Sequence, residues 1–267
     1  MKKALKTIGM VIAAILIFVF CQVFAGVIGN WICLKKGIPA DSSFNSMCST
    51  YIGDLIYIIG ALFGAKFGKT KSLSEGMQMR KVSPIVLLIV PVFAIGVKLM
   101  TSTGMALMPL PEELFEATGT SAQTLYEIPT WLQFIGAVVL APLSEEILYR
   151  GIVQTRVSKA YNAVLGIIVS SVMFGIAHSG SLLWTVWAAL MGLAIAFLRY
   201  KTNSIIPCIV FHSTSNLVST LAANGMISMP SNIPVTMVVT SVISIICAAA
   251  IVKVMAKRNN NIAQTAS

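Results

Sequence analysis

The sequence Ser144-Glu145-Glu146-Ile147-Leu148-Tyr149-Arg150 lies inside an apolar run, 131–153, that has the length of a membrane-spanning helix. A charged side chain at the centre of a bilayer costs about 2.5 to 3.5 kcal/mol on insertion scales. Two adjacent glutamates at that depth therefore need either partners or a chemical task. This stretch predicts a membrane-embedded fold with a polar site inside it.

The composition of the whole chain supports a membrane fold. Of the 267 residues, 57% are hydrophobic and only 10% are charged, whereas soluble domains carry about 25% charged residues. The net charge of +10 does not indicate a nucleic-acid partner, because the cations separate apolar runs instead of covering one face of a soluble domain. We therefore expect an all-α polytopic membrane protein, a single transmembrane domain over 1–267, whose surroundings are membrane lipid.

The sequence predicts about eight transmembrane helices. The first run follows Lys2, Lys3 and Lys6 as a signal peptide would, but it is too long for a cleaved segment and predicts a retained span. The fifth run is short, and the tail at 259–267 is polar and predicted to be disordered. The predicted spans are 8–32, 49–67, 82–100, 131–153, 164–178, 182–198, 204–222 and 233–255, with the motif-bearing core in helices 4 to 7, residues 131–222.

The distribution of basic residues predicts the orientation. Lysine and arginine are enriched in cytoplasmic loops, and with both termini inside only Lys35, Lys36 and Lys98 fall on the wrong side. The segment 101–130 carries Glu112, Glu113, Glu116 and Glu127 and no basic residue, as an outer loop can. We expect a multi-pass protein of the cell membrane with both termini cytoplasmic.

Some residues outside the core have simpler interpretations. The five cysteines show no C-x-x-C spacing, although Cys33 and Cys48 would flank one loop, which leaves a disulfide open if that loop is extracytoplasmic. Asp54 is expected at the membrane interface, and Lys98 is expected to extend its ammonium group outward.

Two glutamates in the fourth span have different expected roles. Glu146 and Arg150 are four residues apart, acid before base, which is the favourable order for an ion pair on a helix. Glu145 is rotated by about 100° from Glu146 and cannot easily share that partner. It is therefore the freer acid, either a buried glutamate bonded to a neighbouring helix or a general base for water activation.

Two further motifs place a histidine in a later span: Phe174-x-x-x-His178 and His212-x-x-x-Asn216. These are the only histidines in the chain. Asn216 could fix the tautomer of His212 or donate to an oxyanion, since its amide both donates and accepts. Phe174 is most simply a packing residue below His178, and Gly175 would let a neighbouring helix approach.

The spacing of the motifs allows them to meet if the hairpin between the fourth and fifth spans protrudes into the cytoplasm by about two turns. The midpoint between Glu145 and His178 falls at 161–162, where the fourth span must turn into the fifth. Two antiparallel helices leaving that turn bring both residues to the same height, about 24 Å from it. His212 and Asn216 lie about 14 and 20 Å beyond the turn at 202–203 by the same rise.

These three motifs, in this order on successive hydrophobic segments, resemble the CPBP family of intramembrane proteases, which includes type II CAAX prenyl endopeptidases and Abi-type proteins. The resemblance covers 131–222 and implies a membrane peptidase with an eight-helix core. It implies that Glu145 activates the hydrolytic water with help from His178, that His212 and Asn216 form the oxyanion site, and that Glu146, Arg150 and Phe174 are supporting residues.

No cofactor is expected, although zinc on Glu145, His178 and His212 is an alternative; the sequence lacks H-E-x-x-H.

The favoured hypothesis is cleavage of a membrane-associated peptide or protein, prenylated or not, in peptide maturation, bacteriocin immunity or regulated proteolysis. The alternatives are a non-catalytic immunity or binding protein with a structural polar network, and a proton-coupled transporter, which the lack of an internal repeat disfavours. The oligomeric state is left open.

Overall fold

The structure is a computed structural model that describes residues 2–39, 41–67, 73–108, 128–178 and 181–266, and within these ranges it contains helices and no strands. Among the described residues, eight helices correspond one to one with the predicted spans, and one short helix, α3, lies between the second and third of them. The helices are α1 (Lys2–Lys35), α2 (Ser43–Phe67), α3 (Leu73–Gly76), α4 (Pro84–Ala106), α5 (Thr130–Ala160), α6 (Ala163–Ala177), α7 (Leu182–Thr202), α8 (Ile206–Ala223) and α9 (Ile233–Ala266).

The prediction of an all-α polytopic membrane protein is confirmed. Within the described ranges, seven helices are long and apolar enough to cross a membrane, and α6 is apolar but has only 15 residues. At 1.5 Å per residue α6 is about 22 Å long, shorter than a hydrocarbon core of about 30 Å. The sequence correctly marked this fifth segment as the short one.

Two interpretations of the sequence concern residues near the ends of elements. Residues 259–266, expected to be disordered, continue the backbone of α9 as helix, because no proline or glycine after Pro234 interrupts it. Cys33 and Cys48 are free thiols, so the possible disulfide is not formed. The glutamates expected in an outer loop, at 112, 113, 116 and 127, lie outside the described residues.

The helices pack as two groups around α5 and α8. One hydrophobic cluster joins α1, α2, α5 and α6 through Tyr57, Leu148 and Phe174. The second joins α4, α7, α8 and α9 through Phe93 and Phe211. The outer faces of the helices carry exposed apolar side chains, as a lipid-facing surface requires; examples are Phe20, Leu88, Leu182, Val238 and Ile245.

The fourth span is not a regular α-helix. Within α5, Phe134–Leu140 and Ile147–Gln154 are π-helical, and the α-helical segment Ala141–Glu146 lies between them. π-Helical turns are rare and occur frequently at functional sites. The two motif glutamates therefore end a short α-helical segment that has a wider, less regular helix on each side.

Gly175 lets α6 and α7 approach closely, as the sequence predicted. A Cβ atom at this position would lie 2.6 Å from the Thr185 carbonyl oxygen and 2.8 Å from the Ala189 Cβ. Since the Thr185 carbonyl oxygen belongs to the backbone, this clash can be relieved only if α6 and α7 move apart.

We expect Gly175→Ala to destabilise the protein by about 1 to 3 kcal/mol, the usual cost of overpacking. Thermal unfolding in detergent measures the effect, with Gly64→Ala as the matched control, since nothing lies within 4 Å of a Cβ atom there. Equal melting temperatures for the two variants would show that the close approach of α6 and α7 at Gly175 does not limit the stability of the protein.

Candidate active site

Glu146 is fully buried and bonded to two cations or potential cations. Its Oε1 atom accepts a hydrogen bond from Arg150 Nη1 at 3.1 Å and another from His212 Nδ1 at 2.9 Å. The ion pair with Arg150 was predicted from spacing. The bond to His212 links α5 to α8 and was not predicted.

Arg150 is equally buried and its guanidinium group is held from three sides. Besides Glu146, it donates from Nη2 to the Gly192 carbonyl at 3.1 Å, and its Cζ lies 4.5 Å from the centre of the Phe174 ring. A Cβ atom at residue 192 would lie 3.3 Å from Arg150 Nη2 and 3.1 Å from Ser171 Cα. The absence of a side chain at Gly192 therefore allows the charge to reach the backbone of α7.

Phe174 contacts both histidines. Its ring centre lies 4.5 Å from that of His178 and 5.4 Å from that of His212, and Tyr149 packs edge-on against it at 5.4 Å. The sequence interpretation, a packing residue below His178, was too narrow. Phe174 therefore contacts the buried Glu146–Arg150–His212 group through Arg150 and His212, and the Glu145–His178 pair through His178.

Glu145 and His178 face each other, and both side chains are partly exposed although Glu145 Oε2 itself is buried. Glu145 Oε2 lies 3.8 Å from His178 Nε2, and the two side chains are 19% and 28% exposed. Among the described residues, Glu145 Oε2 has no hydrogen-bond partner. The predicted separation of the two glutamates is confirmed, because one turns to Arg150 and His212 and the other to His178.

The tautomer of His178 follows from its other nitrogen. Nδ1 lies 2.8 Å from the Phe174 carbonyl oxygen, which can only accept, so Nδ1 carries the hydrogen. In the neutral ring, Nε2 then carries no hydrogen and is an acceptor, and it faces Glu145 Oε2, which is also an acceptor. A distance of 3.8 Å is too long for a direct hydrogen bond, but one water molecule can lie within about 2.8 Å of both atoms.

Asn216 lies one turn after His212 on α8, and it donates from Nδ2 to the Ala137 carbonyl at 2.8 Å. This carbonyl belongs to the first π-helical segment. The alternative in which Asn216 fixes the tautomer of His212 is wrong, because Glu146 makes that contact. The amide retains a second N–H for another acceptor.

Asp54 is not an interfacial residue. It is 2% exposed and its Oδ1 atom accepts hydrogen bonds from Gln22 Nε2 at 2.9 Å and Ser144 Oγ at 2.8 Å. Composition and spacing gave no signal for this contact, because its three members come from three helices and share no motif.

The described residues do not assemble the alternative zinc site on Glu145, His178 and His212. Among them, no group of three or more His, Cys, Asp or Glu side chains is placed to hold a metal ion.

The fold and the site together define a multi-pass membrane protein in which acids, histidines and an asparagine come from three motif-bearing helices, α5, α8 and the end of α6, inside the bundle. Residues 127–218, about a third of the chain, match the family model of Rce1-like type II CAAX prenyl endopeptidases. This match supports the resemblance of that segment to the CPBP family of CAAX-type proteases. No curated protein and no solved structure matches the chain.

Proposed function

We propose that the protein is an intramembrane endopeptidase that hydrolyses a peptide bond of a membrane-associated peptide or protein, with water activated by Glu145. The observation that carries the proposal is the pair of facing acceptors, Glu145 Oε2 and His178 Nε2, which lie 3.8 Å apart on two partly exposed side chains. The family match over 127–218 supports a protease of CAAX type.

A water molecule between these two atoms would donate one O–H to Glu145 and the other to His178, which leaves its oxygen lone pairs free to attack. As the C–O bond to the scissile carbonyl forms, Glu145 accepts a proton. It then delivers that proton to the amide nitrogen as the C–N bond breaks, so that one base serves both steps. The products are a new carboxyl group and a new amine.

The negative charge that develops on the carbonyl oxygen needs donors. We assign this role to the free N–H of Asn216 and to Nε2–H of His212, which donates from both nitrogens when it is protonated. The Glu146 carboxylate, 2.9 Å from His212 Nδ1, would stabilise that cation. Arg150 and Phe174 would hold this half of the site in place.

The pair formed by Glu145 and His178 favours catalysis over a purely structural network. Glu146, Arg150 and His212 bond to one another through Glu146 Oε1 and are nearly inaccessible, as a structural network would be, although Glu146 Oε2 and Arg150 Nε have no partner among the described residues. Glu145 and His178 are instead 19% and 28% exposed. This exposure, which a network that serves only to satisfy buried groups does not need, supports a site that water can reach.

We place the protein in the cell membrane with both termini in the cytoplasm, because of its lysine and arginine distribution. The proposed substrates include peptides in maturation or immunity pathways and membrane proteins that are cleaved for regulation. No cofactor enters the proposed reaction.

The proposal can be tested with purified protein in liposomes and two internally quenched peptides of one sequence that ends in a CAAX motif, one farnesylated and one unmodified. We expect cleavage of the farnesylated peptide, and cleavage of both would show that the lipid is dispensable. In 18O-water the first turnover should place one labelled oxygen in the new carboxyl group. Intact peptides, or an unlabelled carboxyl group after one turnover, would contradict the proposal.

A further inference from the structure

Among the described residues, Asp54 is the one buried acid near the site that the reaction described above does not use. It lies on α2, outside the segment that matches the family model. A carboxylate taken out of water loses several kcal/mol of solvation, yet Asp54 is only 2% exposed. Its contacts with Ser144 on α5 and Gln22 on α1 compensate part of that cost.

Ser144 directly precedes Glu145 and is fully buried. Its single hydroxyl hydrogen has two acceptors within reach, Asp54 Oδ1 at 2.8 Å and the Ala141 carbonyl at 3.0 Å. Hydrogen bonds to an ionised acceptor are roughly twice as strong as neutral ones. The carboxylate is therefore the stronger acceptor, and the bond ties Ser144 to α2.

This bond acts on a short segment. Ala141–Glu146 is about one and a half turns long and lies between two π-helical stretches. Each stretch bonds to a neighbouring helix: the Ala137 carbonyl before the segment accepts from Asn216, and Arg150 after it donates to the Gly192 carbonyl of α7. Within the segment, the Glu146–His212 bond joins it to α8 and the Asp54–Ser144 bond joins it to α2.

We propose that Asp54 is a positioning residue which, through Ser144, fixes the rotation of the segment that carries Glu145. The α1–α2 hairpin is then part of the catalytic unit and not only a membrane anchor. A small rotation here would move Glu145 relative to His178, and a misplacement of about 1 Å can cost about 100-fold in rate. The expected effect of Asp54 on turnover rests on the proposed function, whereas its expected effect on the backbone of the segment does not.

The test compares three single variants of the full-length protein. Asp54→Ala and Ser144→Ala break the bond to α5, whereas Gln22→Ala removes the other donor to the same carboxylate without touching α5. We expect the first two to lower kcat about 10- to 100-fold with KM unchanged. Gln22→Ala should keep kcat near the wild-type value. The double variant Asp54→Ala/Ser144→Ala should lose no more than the worse single variant, since both remove one interaction.

Hydrogen exchange of the segment 141–146 in detergent tests the same bond without a substrate. Faster exchange is expected for Asp54→Ala and Ser144→Ala, but not for Gln22→Ala. If wild-type protein cleaves no peptide, the proposed function fails while this exchange pattern still supports the positioning role. Unchanged exchange, additive losses of kcat, or equal losses in all three variants in proportion to melting temperature would overturn the inference.

Discussion

Replacing Glu145 with glutamine is expected to abolish peptide hydrolysis while leaving the protein folded in the membrane. The amide has nearly the same shape as the carboxylate but cannot take a proton from water, and loss of a general base typically costs about 100- to 10,000-fold. Because Glu145 Oε2 has no hydrogen-bond partner among the described residues and the side chain is partly exposed, little stability depends on its charge. The measurement is kcat on the cleaved peptide in liposomes.

Asp41→Asn is the matched control, because Asp41 is an exposed acid before α2 and makes no contact with the site. It should cleave at the wild-type rate. The thermal unfolding temperature of Glu145→Gln should lie close to that of wild type. Turnover by Glu145→Gln within about tenfold of wild type would be incompatible with a general base at this position.

Local spacing in the sequence was sufficient to predict the pairs that lie on one helix. A separation of four residues brings Glu146 to Arg150, and the same periodicity turns Glu145 away. The turn at 161–162 also predicted that Glu145 and His178 would reach the same height, and the structure brings them to 3.8 Å. These predictions succeeded because they depend on helix rise and rotation alone.

Contacts between non-adjacent helices could not be predicted in the same way. The bond between Glu146 and His212, and the one between Asp54 and Ser144, depend on how whole helices rotate against one another. The π-helical turns of α5 add to the difficulty, since they shift the rotation that an α-helical period assumes. Asp54 was misplaced at the interface for this reason.

Replacing Arg150 with methionine is expected to cause the largest loss of stability. Removing one partner of a buried ion pair typically costs about 3 to 5 kcal/mol, because the other charge remains buried and uncompensated. In this variant Glu146, fully buried, would keep only His212 as a partner, and the Gly192 carbonyl would lose its donor. Thermal unfolding in detergent measures the effect.

The double variant Arg150→Met/Glu146→Gln separates the effect of the buried charges on stability from the effect of side-chain packing. It removes both buried charges while keeping similar volumes, so it should recover part of the stability that Arg150→Met loses. Arg150→Lys should recover less, since an ammonium group cannot reach Glu146, the Gly192 carbonyl and the Phe174 face together as the planar guanidinium does. If Arg150→Met alone melts at the wild-type temperature, the pair does not stabilise the bundle. Retained turnover in the double variant would show in addition that His212 needs no anionic partner to act on the substrate.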